Sequence, residues 1–268
     1  MSRLSPLNNL AKTLKALHVS GKPLILTNVH DGHSAKLVAS NPSTKALATA
    51  SYAIAFSQGL ADNQLTLERN LISIENVARG IKNAGEAETK PLSADLQDGY
   101  SDIAQTIKSA IAAGVVGANI EDLNTDPSTG HEELRPVEEA AERIRIALKA
   151  AEEAGVPDFV INARTDVFGY GGSIKDVIER GKKYLAAGAT TVFVWGVGKH
   201  VITIGEVKEM AEAFGGKLAV QGTGPTKLSH KELAEAGVAR ISYGPWFAMR
   251  SWKAFGEDAA ATLSILEN

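Results

Sequence analysis

The chain has no cysteine among its 268 residues, which removes disulfides, thiolate metal sites and any mechanism that needs a catalytic thiol. It has no run near the ~20 consecutive apolar residues of a membrane-spanning helix. Nor has it an excess of one charge: 28 Lys and Arg stand against 31 Asp and Glu, interspersed along the chain. A net charge of −3 offers no electrostatic footprint for nucleic acid or an anionic membrane, so neither partner is expected. No Pro/Ser-rich linker or low-complexity tract interrupts the chain, and residues 1–268 are read as a single domain. The N-terminus lacks the apolar core and small-residue cleavage pattern of a secretory signal. It also lacks acidic residues before Asp31, while Leu4, Leu7, Leu10, Leu14 and Leu17 recur at helical spacing. A mitochondrial presequence shares those features but usually carries more arginine than Arg3 alone. The reading adopted is an amphipathic helix across the bottom of the domain, in a cytoplasmic protein.

What the chain does contain is an alternation of short apolar or β-branched runs with longer helical patterns. The candidate strands are Leu24–Val29, Ala46–Ala50, Pro91–Asp95, Gly117–Glu121, Asp158–Ala163, Thr191–Trp195, Lys217–Gln221 and Ala239–Tyr243. The clearest helix is Pro136–Ala154, with proline in its first turn, acidic residues early, Ile144 and Leu148 on one face, and Gly155 and Pro157 as its stop. Such alternation implies parallel strands joined by right-handed crossovers. An open doubly wound sheet would carry Gly-x-Gly-x-x-Gly after its first strand; here that strand runs into Asn28-Val29-His30-Asp31-Gly32-His33. The pattern therefore predicts an α/β fold of the (β/α)8 TIM-barrel type.

In such barrels chemistry sits at the C-terminal ends of the strands. Polar residues gather there: Asn28 and Asp31, Ser51, Asp95, Glu121, Arg164 and Asp166, Gln221, then Tyr243. Asp95 and Glu121 end neighbouring strands and would converge on one pocket, where two carboxylates suit a hard divalent ion that keeps several waters. Each could equally cap a helix or pair with a lysine. Arg164 could grip a substrate carboxylate or phosphate through two parallel hydrogen bonds, or form an internal salt bridge with Asp166 or Glu121. A cation beside a metal suits chemistry that passes through an enolate. The turns Gly169-Tyr170-Gly171-Gly172 and Gly222-Thr223-Gly224-Pro225 are candidates for phosphate, although glycine is common in turns. His30 and His33 lie near the barrel mouth and could assist acid–base work, yet a lone histidine is more often structural.

Five stretches, in order and with barrel spacing, carry a family resemblance. They are Asn28-x-x-Asp31-x-x-Ser34-Ala35, Lys45-Ala46-Leu47-Ala48-Thr49-Ala50-Ser51, Asp95-Leu96-Gln97-Asp98-Gly99-Tyr100, Gly117-Ala118-Asn119-Ile120-Glu121-Asp122 and Asn162-Ala163-Arg164-Thr165-Asp166. From strand one through strand eight the chain resembles the isocitrate lyase/phosphoenolpyruvate mutase superfamily. The resemblance implies a barrel whose last helix is exchanged between subunits, within a homotetramer. It also implies Mg2+ (or Mn2+) and a small carboxylate substrate, a 2-oxo acid or one that forms an enolate. Asp95 and Glu121 match the metal-site carboxylates, and Asp62 an acidic position near the metal that is reached through water. Ser51 and Tyr52 match the turn whose backbone amides hold a substrate carboxylate, and Arg164 matches the substrate-binding arginine.

The departures from the family pattern narrow the function. Where the family has a second acidic residue two places after the first metal aspartate, this chain has Gln97. Its amide carbonyl could still hold a metal-bound water, but the lost negative charge predicts weaker metal binding. Isocitrate and methylisocitrate lyases carry a Lys-Lys-Cys-Gly-His loop; the corresponding Leu123-Asn124-Thr125-Asp126-Pro127-Ser128-Thr129-Gly130-His131 has neither lysine nor cysteine, which disfavours both activities. Phosphonopyruvate-handling members have a lysine and an asparagine on this loop and a histidine after strand six; here only Asn124 is present, and Trp195 stands at the histidine's place. The expected function is thus a metal-dependent lyase that cleaves a C–C bond or decarboxylates a small 2-oxo or 2-hydroxy carboxylate through a pyruvate-like enolate. Its proton donor is open between a loop histidine such as His131 and a bound water. The alternatives are a phosphoenolpyruvate phosphonomutase or phosphonopyruvate hydrolase, and a barrel that binds a metabolite without turnover.

Overall fold

All eight expected strands are present in the computed structural model, which describes residues 5–125, 129, 131–196, 198–222 and 228–266. The first four are β1 (Leu24–Leu26), β2 (Leu47–Ala48), β3 (Leu92–Asp95) and β4 (Gly117–Glu121). A separate antiparallel hairpin follows, β5 (Leu123–Thr125) with β6 (Glu132–Leu134), in the stretch that corresponds to the family's lyase loop. The barrel resumes with β7 (Val160–Thr165), β8 (Thr191–Val194), β9 (Leu218–Gln221) and β10 (Arg240–Ser242). Barrel strands are parallel in the order β1-β10-β9-β8-β7-β4-β3-β2. A single parallel bridge, Val29 to Thr49, joins the two ends and closes the ring.

That closing seam explains why β1 and β2 are shorter than the apolar runs that predict them. There a side chain takes over from the backbone ladder. Asn28 Nδ2 donates to Thr49 O at 2.7 Å, and Asn28 Oδ1 accepts from the amides of Tyr243 and Gly244 at 2.9 and 3.0 Å. One amide thus ties the ends of β1, β2 and β10. The start of β7 shifts inward from Asp158 for a similar reason. Asp158 exchanges hydrogen bonds with Asn8 instead, at 3.0 and 3.1 Å, and so anchors the first helix.

That helix, α1 (Leu7–Ala16), lies at the N-terminal end of the barrel, as its leucine spacing predicts. Leu14 is fully buried there, and a Cβ added to Gly117 would come within 2.7 Å of its Cδ2, so glycine is what lets the plug seat. The barrel helices are α2 (Gly32–Ala39), α3 (Ser51–Ser57), α4 (Leu67–Asn83), α5 (Ile103–Ala112), α6 (Val137–Glu153), α7 (Ile174–Ala186), α8 (Ile204–Ala213) and α9 (His230–Glu235). In α6, Ala140, Ile144, Ala147 and Ala151 bury one face at three- and four-residue spacing. Glu138 and Glu139 favour its N-terminal dipole, and Gly155 ends it at φ +82°. Helices α7, α8 and α9 start with reciprocal capping boxes at Ser173/Asp176, Thr203/Glu206 and Ser229/Glu232. The last helix, α10 (Trp246–Leu263), differs: Ala248 is its only fully buried residue, and Phe255 and Leu263 are 77% and 79% exposed. Among the described residues no helix is long and apolar enough to cross a membrane.

Candidate active site

Strand pleating puts residues i and i+2 on one face. On four strands that rule sends two polar residues into the barrel together: Ser93 with Asp95, Asn119 with Glu121, Asn162 with Arg164, and Arg240 with Ser242. Most of them line a cavity of about 200 Å³ that also takes in Ser51, Tyr52 and Asp62. The volume is at the small end for ligand sites and admits only a small molecule.

Asp95 is held from two sides. Its Oδ2 accepts from the Ser51 amide at 2.9 Å, and its Oδ1 from Asn119 Nδ2 at 3.1 Å. Behind Asn119 runs a chain of donors across the interior: Asn162 Nδ2 donates to Asn119 Oδ1 at 2.9 Å, and Thr191 Oγ1 to Asn162 Oδ1 at 2.7 Å. The carboxylate is therefore oriented by four strands at once. Its engagement of the Ser51 amide leaves Tyr52, in the free first turn of α3, as the unoccupied amide of that pair.

Arg164 takes up both of the internal pairings that its sequence position allows. Nη1 donates to Glu121 Oε1 at 2.6 Å, Nε to Asp166 Oδ1 at 2.8 Å, and the guanidinium lies 4.2 Å over the Trp195 ring. Nη2 remains without a partner among the described residues, so the arginine is pinned while one edge faces the cavity. A second network holds the backbone from which it projects. The Asp122 carboxylate accepts from Thr165 Oγ1, the Asp166 amide, Tyr184 Oη and Arg180 Nη1.

Glu121 and Gln97 stand just behind the cavity wall, each reaching it through a neighbour. Glu121 does so through Arg164. Gln97 Nε2 donates to Asp62 O at 2.8 Å and to Asp62 Oδ1 at 3.1 Å, from a backbone with φ +51° that side chains other than glycine seldom adopt. Asp62, Asp95, Glu121 and Asp166 are thus gathered around one paired cation. Burial, then the Asp95 charge, pushes the Asp62 carboxyl up to about 6. Burial also pushes Glu121 well up; Arg164 pulls it back, while Asp166, Asp95 and Asp62 add to the rise.

An excess of buried carboxylate that resists ionisation fits a hard divalent cation. The shape of the fit is specific. Asp95, with Asp62 and Glu121 close by, would hold such an ion, which would keep several waters; among the described residues no three of His, Asp and Glu are grouped to enclose one.

Other residues singled out from sequence fall elsewhere. His30 packs edge-on against Trp252 with ring centroids 5.4 Å apart and does not line the cavity. His33 lies in the first turn of α2, and His131 is exposed. Gly169 and Tyr170 end a short 3-10 turn closed by Gly171. Residues 223–227 of the second glycine-rich turn, and 126–128 and 130 of the altered loop, lie outside the described residues. Ser93 and Arg240 are cavity residues that sequence reasoning passed over. For Arg240 the signal was present in Val238-Ala239-Arg240-Ile241-Ser242, where a charge interrupts an apolar strand.

With this geometry the chain matches known proteins along most of its length. The family model for phosphoenolpyruvate phosphomutase matches residues 14–263. The 2-methylisocitrate lyase of Shewanella oneidensis is 28% identical over 259 residues, 93% of this chain and 82% of that enzyme. Oxaloacetate decarboxylase of Rhodopseudomonas palustris is 31% identical over 132 residues, 47% of this chain and 44% of that protein. The matched stretch spans about half the length of several further curated relatives. A crystal structure from Burkholderia cenocepacia J2315, of a protein named for an inferred phosphonomutase activity, superposes with a TM-score of 0.82 at 34% identity, covering 96% of this chain and 99% of that one. The chain belongs to the phosphoenolpyruvate phosphomutase family, within the isocitrate lyase/phosphoenolpyruvate mutase superfamily of enzymes.

Proposed function

We propose that this barrel, as one domain, is a Mg2+-dependent (or Mn2+-dependent) lyase that cleaves a C–C bond in, or decarboxylates, a small 2-oxo or 2-hydroxy carboxylate. The observation that carries the reading is the small cavity in which the gathered carboxylates Asp62 and Asp95 face the free edge of Arg164. A divalent ion held by Asp95, with Asp62 and Glu121 nearby, would supply Lewis acidity toward a substrate carboxylate and its adjacent oxygen. Arg164 Nη2 and the Tyr52 amide orient the carboxylate, and the guanidinium faces the negative charge that develops as the C–C bond breaks. Glu121 and Asp166 keep that guanidinium in place, so little reorganisation is needed during reaction. Trp195, Phe193 and Met249 wall the cavity with apolar surface that excludes water from the carbanionic centre. The oxaloacetate decarboxylase relative supports a decarboxylation in particular. The absence of lysine and cysteine between β5 and β6 continues to weigh against methylisocitrate cleavage.

The exposed apolar residues of α10 support a second element of the reading, a homo-oligomer built by exchange of that helix, with a tetramer as the expected size. Sedimentation at micromolar concentration tests it, a monomer being the contrary result. The catalytic reading is tested by incubating the protein and Mg2+ with a panel of 2-oxo and 2-hydroxy di- and tricarboxylates, while pyruvate and carbon dioxide are assayed. Mg2+-dependent release from at least one compound is expected. Turnover of phosphonopyruvate alone would replace the lyase by the phosphonate alternative, and no turnover alongside tight binding would favour the non-catalytic one.

A further inference from the structure

Among the described residues, two buried polar atoms without a hydrogen-bond partner belong to side chains of this one cavity: Ser93 Oγ and Arg240 Nη1. Arg240 is 2% exposed and heads the fully buried side chains by size. Its Nε donates at 3.1 Å to Ser242 Oγ, two residues nearer the C-terminal end of β10, and the side chain lines the cavity. Arg164 and Arg180 each have a carboxylate at 3.2 Å or less, whereas Arg240 forms no ion pair among the described residues. Burial lowers its pKa to about 10, with Asp95 opposing the fall, so it is a cation at neutral pH. A buried charge without a counter-ion is costly to keep, and among the described residues only Ser242 Oγ and the more distant Asp95 charge offset it. The neighbouring amides are already engaged, since Asn119 and Asn162 are bound into the chain that orients Asp95. Ser93 stands two residues before Asp95 on the same strand face, about 7 Å deeper. A four-carbon dicarboxylate spans that depth, and oxalate does not.

We propose that Arg240, with Ser93, forms a second anion-holding group at the foot of the cavity, which takes the distal carboxylate of a 2-oxo or 2-hydroxy dicarboxylate. This rests on the lyase reading above and narrows its substrate class to dicarboxylates. The site then has two poles: the near carboxylate lies against Arg164 at the mouth, and the far one on Arg240.

Calorimetry with Mg2+ present, using oxalate as the short probe and both enantiomers of malate as the long one, tests this without turnover. Wild type should bind oxalate and at least one malate. Arg240→Met should weaken that malate by about tenfold or more while oxalate changes less than about twofold, and Arg240→Lys should recover part of the loss. Ser93→Ala, a milder change should the Met variant fail to fold, should weaken malate alone by about threefold. Equal losses for both ligands would overturn the proposal and make Arg240 a counter-charge for Asp95. No loss for either would make it a structural cation. If wild type binds oxalate but neither malate, the inference falls and the lyase reading stands; if it binds neither class, both fall.

Discussion

On β4, β7 and β10, neighbouring residues meet opposite surroundings. Ile120, Ile161 and Ile241 point outward and are buried in apolar clusters beneath the helices, whereas Asn119, Asn162 and Arg240 point into the barrel, the two amides bound into a polar chain and the arginine with Nη1 unpartnered among the described residues. Barrel interiors are usually filled by bulky branched side chains. Here the inner face of β3, β4, β7 and β10 carries a largely hydrogen-bonded polar layer, and Leu24 and Leu26 of β1 with Leu14 of the plug supply the branched packing beside it. The lesson is a division of labour along one strand: odd and even positions separate stability from chemistry, so substitutions one residue apart should fail in different assays.

The largest effect expected is on the inner face. Asp95→Ala should lower kcat/KM for whichever substrate is found by about a thousandfold, near the upper range for loss of one electrostatic group, as steady-state kinetics would record. On the outer face, Ile161→Ala should cost about 3 kcal/mol of stability in urea denaturation while leaving oxalate affinity within about twofold. A comparable loss of affinity there would erase the proposed separation.

A third prediction concerns the bottom of the barrel, where His18 is held neutral. Burial, then the Arg240 charge, lowers its pKa from 6.5 to about 4. Because the folded value lies below the unfolded one, the unfolded chain binds the proton first as the pH drops. Stability is therefore lost between pH 6.5 and 4, by about 3 kcal/mol in all. The raised carboxyls of Asp62 and Asp166 act with the opposite sign over that window, since the folded state binds their protons more tightly. The quantity to measure is thus the difference between wild type and His18→Asn, which should shrink toward acid pH; a constant difference would contradict the assignment.

Smaller effects sharpen the comparison within the polar layer. Asn162→Leu leaves Asn119 Oδ1 and Thr191 Oγ1 without their partner and should cost about 2 kcal/mol of stability. Because the chain ends on Asp95, it should also weaken oxalate binding, unlike Ile161→Ala at the adjacent position. Smallest is Gln97→Asp, which restores a negative charge beside Asp62 and should tighten Mg2+ by about fivefold, on the order of 1 kcal/mol. Unchanged Mg2+ affinity in titration calorimetry would remove Gln97 from the account of metal binding.

Much of this architecture was legible in the sequence because its signals are local. The eight strands, the helix at 137–153 and the leucine-spaced plug follow from periodicity, capping and stop residues. The seam was not legible: β1 and β2 are short because Asn28 replaces ladder bonds with side-chain ones, which no strand propensity reveals. Nor was the pairing of Arg164 decided, since its choice among Asp166, Glu121 and a substrate depends on strand order and register. Arg240 and Ser93 escaped for another reason. Both faces of a barrel strand are buried, so the usual alternation of apolar and polar residues is weak. The recurrence of polar residues at i and i+2 on β3, β4, β7 and β10 was the signal that identifies the inner face.

The central claim, that the gathered carboxylates and Arg164 form one site for a divalent ion and an enolate-like anion, is tested most directly by thermal unfolding. The protein would be melted with Mg2+ alone, with oxalate alone and with both. A joint stabilisation greater than the sum of the separate ones is expected, on the order of 3 kcal/mol at a hundredfold excess over the dissociation constant, together with its loss in Asp95→Ala. Separate shifts that merely add, or a joint shift that survives in Asp95→Ala, would contradict it.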